Sequence, residues 1–219
     1  MKGRMVVAVV LAVLMAASGY AQTTDFFKLV SQGGTPQDVQ AAIRNGADVN
    51  ARDKDGRTPL IAAAAYNQDP EVIAILLKAG SDIEARDSAH GGTPLMWAAG
   101  MNENAEVIAA LLKAGADVKA ESGGWTPLMW AAAFNQNPEL ITTLLKAGAD
   151  PNPQDNKGTT ALMYAASQNK NSEVVMVLLN AGADARAKNK EGKTALDYAQ
   201  YRTNLKGTEA LKKLEEASK

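Results

Sequence analysis

The sequence contains no cysteine, a single histidine and few aromatic residues, which make up 5% of its 219 positions. Without cysteine it has no disulfide, no thiolate metal site and no site for a lipid anchor on cysteine. Acidic and basic side chains nearly balance, with 23 Lys and Arg against 24 Asp and Glu. The chain therefore lacks the basic excess that binding to a phosphate backbone requires, and nucleic acid is not an expected partner.

The first residues have the pattern of a secretory signal peptide. Lys2 and Arg4 form a short positive segment, an apolar run follows over residues 5–17, and small residues occur at Gly19 and Ala21. The run is shorter than the roughly 20 residues that span a bilayer. We therefore expect cleavage after Ala21 and a mature protein in a bacterial periplasm or outside the cell, with a retained membrane anchor as the alternative.

The sequence does contain a short motif that occurs five times. It reads Thr-Pro-Leu or Thr-Ala-Leu, and its threonines are separated by 35, 33, 34 and 34 residues. These threonines are Thr58, Thr93, Thr126, Thr160 and Thr194. A fixed period of about 20–50 residues indicates a stack of similar structural units.

One unit, residues 53–87, illustrates how the repeat predicts its own structure. It opens with a glycine-containing turn, after which Thr58 and Pro59 are typical of a helix N-terminus. A short, alanine-rich helix follows, and a second helix with one apolar face begins at Pro70 and ends at Gly80. Such a unit cannot bury its apolar faces alone, so neighbouring units must cover them.

The pattern Asp-x-x-Gly-x-Thr-Pro-Leu, followed by Ala-Ala and later by Leu-Leu-Lys-Ala-Gly-Ala-Asp, resembles the ankyrin repeat. The resemblance extends from about Asp25 to about Glu216. It implies an all-α ankyrin-repeat solenoid of helix-turn-helix units joined by β-hairpin-like loops. Two features depart from the family: the residue after Thr-Pro-Leu is not histidine, and the loop between the two helices is one residue longer. Both indicate a subtype with slightly different stacking of the units.

Six units are expected after the signal peptide of residues 1–21. The two terminal units, residues 22–52 and 189–219, are capping repeats whose polar outer faces keep the stack soluble. Between them lie four internal repeats, which cover residues 53–87, 88–120, 121–154 and 155–188.

No combination of residues indicates catalysis, a metal site or a cofactor. The turn over residues 53–56 begins like a calcium loop, but position 12, where such a loop needs Glu, is Ala64. His90 has no cysteine partner for zinc, and no nucleophile or orienting acid is fixed near it. The pairs Gly91-Gly92 and Gly123-Gly124 lack the lysine pattern of a phosphate-binding loop. We therefore expect a protein that is not an enzyme and needs no cofactor or metal.

The resemblance implies recognition through the concave side, which in the ankyrin family is formed by the hairpin tips and the first helices. Two rows of large side chains fall on this face. The first row lies at the ends of the first helices, where exposure favours contact with a partner, and consists of Tyr66, Met101 and Phe134. The second row lies one turn earlier and consists of Trp97, Trp130 and Tyr164. An aromatic ring at this position either contacts a partner or fills space between stacked units.

The two central tips differ in length from the others and carry His90 and Trp125. Six residues precede the repeated threonine in three tips, whereas the tip with His90 has seven and the tip with Trp125 has five. We expect Trp125 to contact a partner, because a turn tip offers little for a large ring to pack against. These residues predict a groove on the second and third internal repeats that holds an apolar or aromatic segment of a protein, with charged tips steering it at the rim.

The sequence thus predicts an exported, monomeric protein that binds another protein and has no membrane contact after signal cleavage. Two roles fit equally: an inhibitor or immunity-type binder of an enzyme, and a scaffold for another exported protein. The alternative is a small-ligand binding protein in which Trp97, Trp125 and Trp130 form an aromatic slot.

Overall fold

The computed structural model describes residues 25–202 and 205–219, and within these ranges the protein has twelve helices and no strand. The predicted signal peptide lies outside the described residues. The first helix, α1, covers residues 25–31. Helices α2 to α12 are, in chain order, Pro36–Arg44, Pro59–Tyr66, Pro70–Lys78, Pro94–Met101, Ala105–Lys113, Pro127–Phe134, Pro138–Lys146, Ala161–Gln168, Ser172–Asn180, Ala195–Ala199 and Glu209–Ala217.

The helices form two layers that run along the stack. Helices α3, α5, α7, α9 and α11, here called the inner helices, pack on one another in that order. The outer helices α2, α4, α6, α8, α10 and α12 do the same beside them. This arrangement confirms the expected all-α solenoid, in which each unit covers the apolar surface of the next.

Each inner helix begins at the repeated threonine, as the sequence predicts. The Thr58 hydroxyl accepts the backbone N–H of Ile61 at 3.3 Å, and the same bond recurs in the later units. Proline supplies the first residue of α3, α5 and α7, where a helix has no N–H bond to lose. Outer helices α2, α4, α6, α8 and α10 are each followed, two residues beyond their last, by a glycine such as Gly80, whose φ of 93° suits a residue without a side chain.

The inner helices are enclosed on nearly all sides. In α3, seven of eight residues are buried, and four of these are consecutive alanines from Ala62 to Ala65. Small side chains let helices of adjacent units approach closely, which explains the abundance of alanine. The last residue of α3, Tyr66, is exposed.

A row of buried asparagines ties each inter-helix loop to the preceding unit. Asn102 is fully buried, and its Nδ2 donates to the carbonyls of Ala64 at 2.9 Å and Asn67 at 2.8 Å. Its Oδ1 accepts the N–H of Asn104 at 2.8 Å. The full row consists of Asn67, Asn102, Asn135 and Asn169. The sequence shows the longer loop that contains these residues, but it does not predict their bonds.

Candidate partner-binding site

A groove lined by aromatic side chains crosses the second and third internal repeats. It has a volume of about 370 Å³ and is formed by α5, α7 and the tips that precede them. We call it the aromatic groove, and its lining residues are His90, Trp97, Met101, Ser122, Trp125, Trp130 and Phe134. The structure therefore brings together six of the eight predicted contact residues and leaves Tyr66 and Tyr164 outside.

The rings of the aromatic groove meet mostly edge to face. The ring centroids of Trp97 and Trp130 are 5.4 Å apart, and those of Trp130 and Phe134 are 6.2 Å apart. His90 meets Trp97 edge-on at 5.7 Å. Gly100 makes this packing feasible, because a Cβ there would lie 3.2 Å from the Trp130 ring. The groove thus has a floor of mutually supported rings.

The expectation that Trp125 has little to pack against is wrong. Trp125 is half-buried, lies parallel to the Phe134 ring at 5.9 Å, and contacts the Tyr164 ring at 4.1 Å. The reason is that stacking places the tip of the third internal repeat beside the inner helix of the fourth. Trp125 therefore forms a wall of the groove.

The exposed members of the predicted site are Phe134 at 51%, Met101 at 46% and Tyr66 at 43%. Tyr164 instead has only 7% of its surface exposed and lies in the core, which favours the space-filling interpretation for this residue. Trp97 and Trp130 are intermediate, since both pack between units and line the groove.

A buried carboxylate fixes Trp97. Asp87 accepts the Trp97 indole N–H at 2.9 Å and the backbone N–H groups of Ala89, His90 and Gly92 at 2.7–2.9 Å. Burial acts to raise the pKa of Asp87, but the bonds from Trp97, His90, Gly92 and Ala89 together hold it below the usual value. Asp87 is therefore ionised at neutral pH.

The same pairing of a tip residue with an aromatic side chain recurs in the last two units. The Tyr164 hydroxyl donates to Asp155 at 2.6 Å, and Asn189 Nδ2 donates to the Tyr198 hydroxyl at 2.8 Å. Burial and the Asp155 carboxylate both raise the pKa of Tyr164. The sequence contains a pattern that indicates this pairing, because an Asp or Asn precedes the aromatic residue by nine or ten positions.

Trp130 is the exception to this pairing. Its Nε1 is buried, and within residues 25–202 and 205–219 it is the buried side-chain polar atom that has no hydrogen-bond partner. An unpaired buried donor costs about 1–3 kcal/mol. The third internal repeat bears this cost at the centre of the aromatic groove.

A second groove, of about 650 Å³, lies beside the first at the N-terminal end of the stack. At its border, Arg57 pairs with Asp53 at 3.0 Å and Asp55 at 2.8 Å and lies over the Trp97 ring at 5.9 Å. We call this the basic groove, and its lining includes Lys28, Arg52, Lys54, Arg57 and Tyr66. Tyr66 is thus separate from the aromatic groove.

The described part of the chain shows no group of three or more His, Cys, Asp or Glu side chains that could hold a metal ion. None of the helices in residues 25–202 and 205–219 is long and apolar enough to cross a membrane. The aromatic groove thus offers apolar surface and edge-on rings, and the Trp130 N–H, which has no partner among the described residues, is buried in its lining.

Comparison with known proteins matches the whole stack. A family model described as ankyrin repeats (3 copies) matches residues 26–122, 64–155 and 128–218. An ankyrin repeat protein of fowlpox virus (strain NVSL) is 50% identical over 48 residues, which are 22% of this chain and 9% of the viral protein. Because the chain spans so little of that curated relative, the likeness concerns the repeats alone.

Proposed function

Because this chain belongs to the ankyrin repeat family, whose repeats generally mediate protein–protein interaction, we propose that it is an exported protein that binds a protein partner through its concave face and hairpin tips. The aromatic groove is the main contact surface in this proposal. The partner meets a largely preformed surface, since the rings already support one another.

The observation that carries the proposal is the alignment of exposed apolar side chains. Tyr66, Met101 and Phe134 are each the last residue of an inner helix, and each exposes more than two fifths of its surface. Large apolar side chains exposed in register on one face mark contact surfaces, and aromatic residues dominate the binding energy of such surfaces.

Export is the second part of the proposal, and it rests on the signal-like pattern of residues 1–21. In the periplasm or outside the cell the protein acts as a monomer, either as an inhibitor or immunity-type binder of an enzyme or as a scaffold for another exported protein. It is a non-catalytic binder, as members of its family typically are. Production in a bacterial host with an intact N-terminus should give an exported chain that begins at Gln22; a full-length chain retained in the cytosol contradicts export.

Capture of partners from the exported fraction of the source organism tests the binding surface. Wild-type protein is compared with a Met101→Ala/Phe134→Ala double variant, which removes two exposed side chains and keeps the packing of Trp125 on Tyr164. Tyr201→Ala is the matched control, because Tyr201 is 86% exposed but lies in the last unit. A protein captured by wild type and control but lost with the double variant is the expected result. Equal capture by all three contradicts the aromatic groove as the contact surface.

A small-ligand binder is the second candidate, and the size of the aromatic groove favours it. Its volume of about 370 Å³ falls within the range of roughly 300–1,000 Å³ that is usual for small-molecule sites. Trp97, Trp125 and Trp130 would then report binding by quenching of their fluorescence. Quenching by small aromatic compounds, together with no captured protein, would favour this candidate over the first.

A further inference from the structure

The hairpin tip of the third internal repeat lacks the Asp side chain that opens the other internal tips. In those tips the backbone N–H of the Asp donates to the carbonyl of the residue before the repeated threonine, as Asp155 does to Thr159 at 3.0 Å. Ser122 holds this position in the third repeat, because its N–H donates to Trp125 at 3.0 Å. A hydroxyl therefore stands where the neighbouring tips place a carboxylate.

The Ser122 hydroxyl does not replace the missing acceptor. It donates to the His90 carbonyl, and Trp130 Nε1 is left without a partner. The backbone amides of Gly123 and Gly124, in a turn with φ of 57° and 81°, also have no partner among the described residues. In the neighbouring repeat, Asp87 pairs with both kinds of donor. The third repeat therefore contains donors for which the described residues supply no acceptor.

The charges around this tip complement an anion. Arg86 donates from Nη1 to the carbonyls of Gly91 and Glu121, both at 2.9 Å, which holds its guanidinium between the second and third tips. In the third tip and the tips on either side of it (residues 86–92, 121–125 and 155–159), the exposed cations are Arg86 and Lys157, and the exposed anion is Glu121. The Asp87 and Asp155 side chains are buried. Exposed cations therefore outnumber exposed anions beside the unpaired donors.

We infer that the partner supplies the missing acceptor as the carboxylate of an Asp or Glu, while a neighbouring bulky apolar side chain of the same segment occupies the aromatic groove. The carboxylate accepts from Trp130 Nε1 and the tip amides, and it completes the row that Asp53, Asp87 and Asp155 begin. A carboxylate is preferred to a neutral carbonyl because charge-assisted hydrogen bonds are about twice as strong. This inference rests on the proposed function, since it takes the groove to be the partner's site.

The Trp97 and Trp130 rings are held in different ways, which indicates how a carboxylate reaches Trp130 Nε1. Trp97 is tethered by its bond to Asp87, whereas Trp130 is held by packing against Trp97 and Phe134 without a hydrogen bond. Binding of the carboxylate requires a local shift of the Trp130 ring, because its N–H is buried in the free protein. Binding should then move the Trp130 indole N–H resonance downfield, and by more than that of Trp97, whose bond to Asp87 is kept.

A library of short linear peptides displayed on phage, selected on the full chain, tests this inference. The matched variant is Ser122→Asp, which returns a carboxylate to the tip and competes with that of the peptide; Ser122→Ala controls for loss of the hydroxyl. Selected peptides should carry Asp or Glu close to a bulky apolar residue. Replacing that acid by its amide should weaken binding to wild type about tenfold or more, and binding to Ser122→Asp by less than about twofold.

The outcomes separate this inference from the proposed function. If the peptides bind Phe134→Ala more weakly but tolerate replacement of their acid by its amide, the aromatic groove is supported as the contact surface and the role of the carboxylate is contradicted. Peptides that bind equally to wild type and Phe134→Ala overturn the groove itself. A library that yields no peptide retained by wild type contradicts both. An unmoved Trp130 indole resonance in a groove-bound complex, assigned with Trp130→Phe, also overturns the carboxylate.

Discussion

At the scale of the residue, the carboxylates of Asp87 and Asp155 differ in whether their aromatic partner can accept a hydrogen bond as well as donate one. Both oxygens of Asp87 accept from N–H groups, including the Trp97 indole, which can only donate. At Asp155, one oxygen accepts two backbone N–H groups and the other accepts from the Tyr164 hydroxyl, which can donate or accept. The same change of acid to amide therefore has different consequences at the two positions.

Asp87→Asn should destabilise the protein more than Asp155→Asn. The new amide NH₂ of Asp87→Asn faces another donor, and an unsatisfied buried group lowers the free energy of unfolding by about 1–3 kcal/mol. In Asp155→Asn the amide can donate to Tyr164, as Asn189 Nδ2 already does to the Tyr198 hydroxyl, so the loss stays below about 1 kcal/mol. Urea denaturation of both variants measures the difference. Equal losses would contradict the distinction between indole and hydroxyl.

The residue scale also shows what the sequence could and could not reveal about the site. The exposed position of Phe134 follows from its place at the end of a helix. The packing of Trp125 does not, because Tyr164 lies 39 residues further along the chain and only stacking brings the two together. The unpaired state of Trp130 required knowledge of the bonds at neighbouring tips.

At the scale of the element, the inter-helix loops combine a helix C-terminus, a helix cap and a bond to the preceding unit. The buried asparagine at the start of each loop directly follows the inner helix and is its C-cap. Sequence alone predicted the helices on both sides from threonine caps, prolines and glycines. It could not predict the bonds between units, because their acceptors are backbone carbonyls that carry no sequence signature.

Asn102→Ala should be strongly destabilising. The change removes the bonds to the carbonyls of Ala64 and Asn67 and leaves both acceptors in a dry interior. We expect the free energy of unfolding to fall by at least about 2 kcal/mol. Gln136→Ala is the matched control, since Gln136 is exposed in the equivalent loop one unit later and should change stability by less than about 0.5 kcal/mol. Similar midpoints for both variants in urea would show that the asparagine row contributes little.

At the scale of the whole molecule, the stack has no single centre. The main helix contacts of the described residues join each unit to its immediate neighbours, so an internal unit is covered on both sides and a terminal unit on one. The period of the sequence predicted this arrangement, since equal units at equal spacing can only build a linear array. It follows that the consequence of a core substitution depends on the position of its unit in the array.

Leu128→Ala and Leu214→Ala place the same substitution in the middle and at the end of this array. Leu128 of α7 and Leu214 of α12 are both buried, and such a change costs about 2–5 kcal/mol wherever it is made. In α7 the cost destabilises the units on both sides, so the main unfolding transition should shift to lower urea concentration. In α12 this cost is larger than the stabilisation that contact with one neighbouring unit provides, so the last helix should unfold alone. Hydrogen exchange followed by mass spectrometry should then show α12 unprotected while α5 and α7 keep their protection. If Leu214→Ala instead lowers protection in every helix by the same factor, the array unfolds as one cooperative unit.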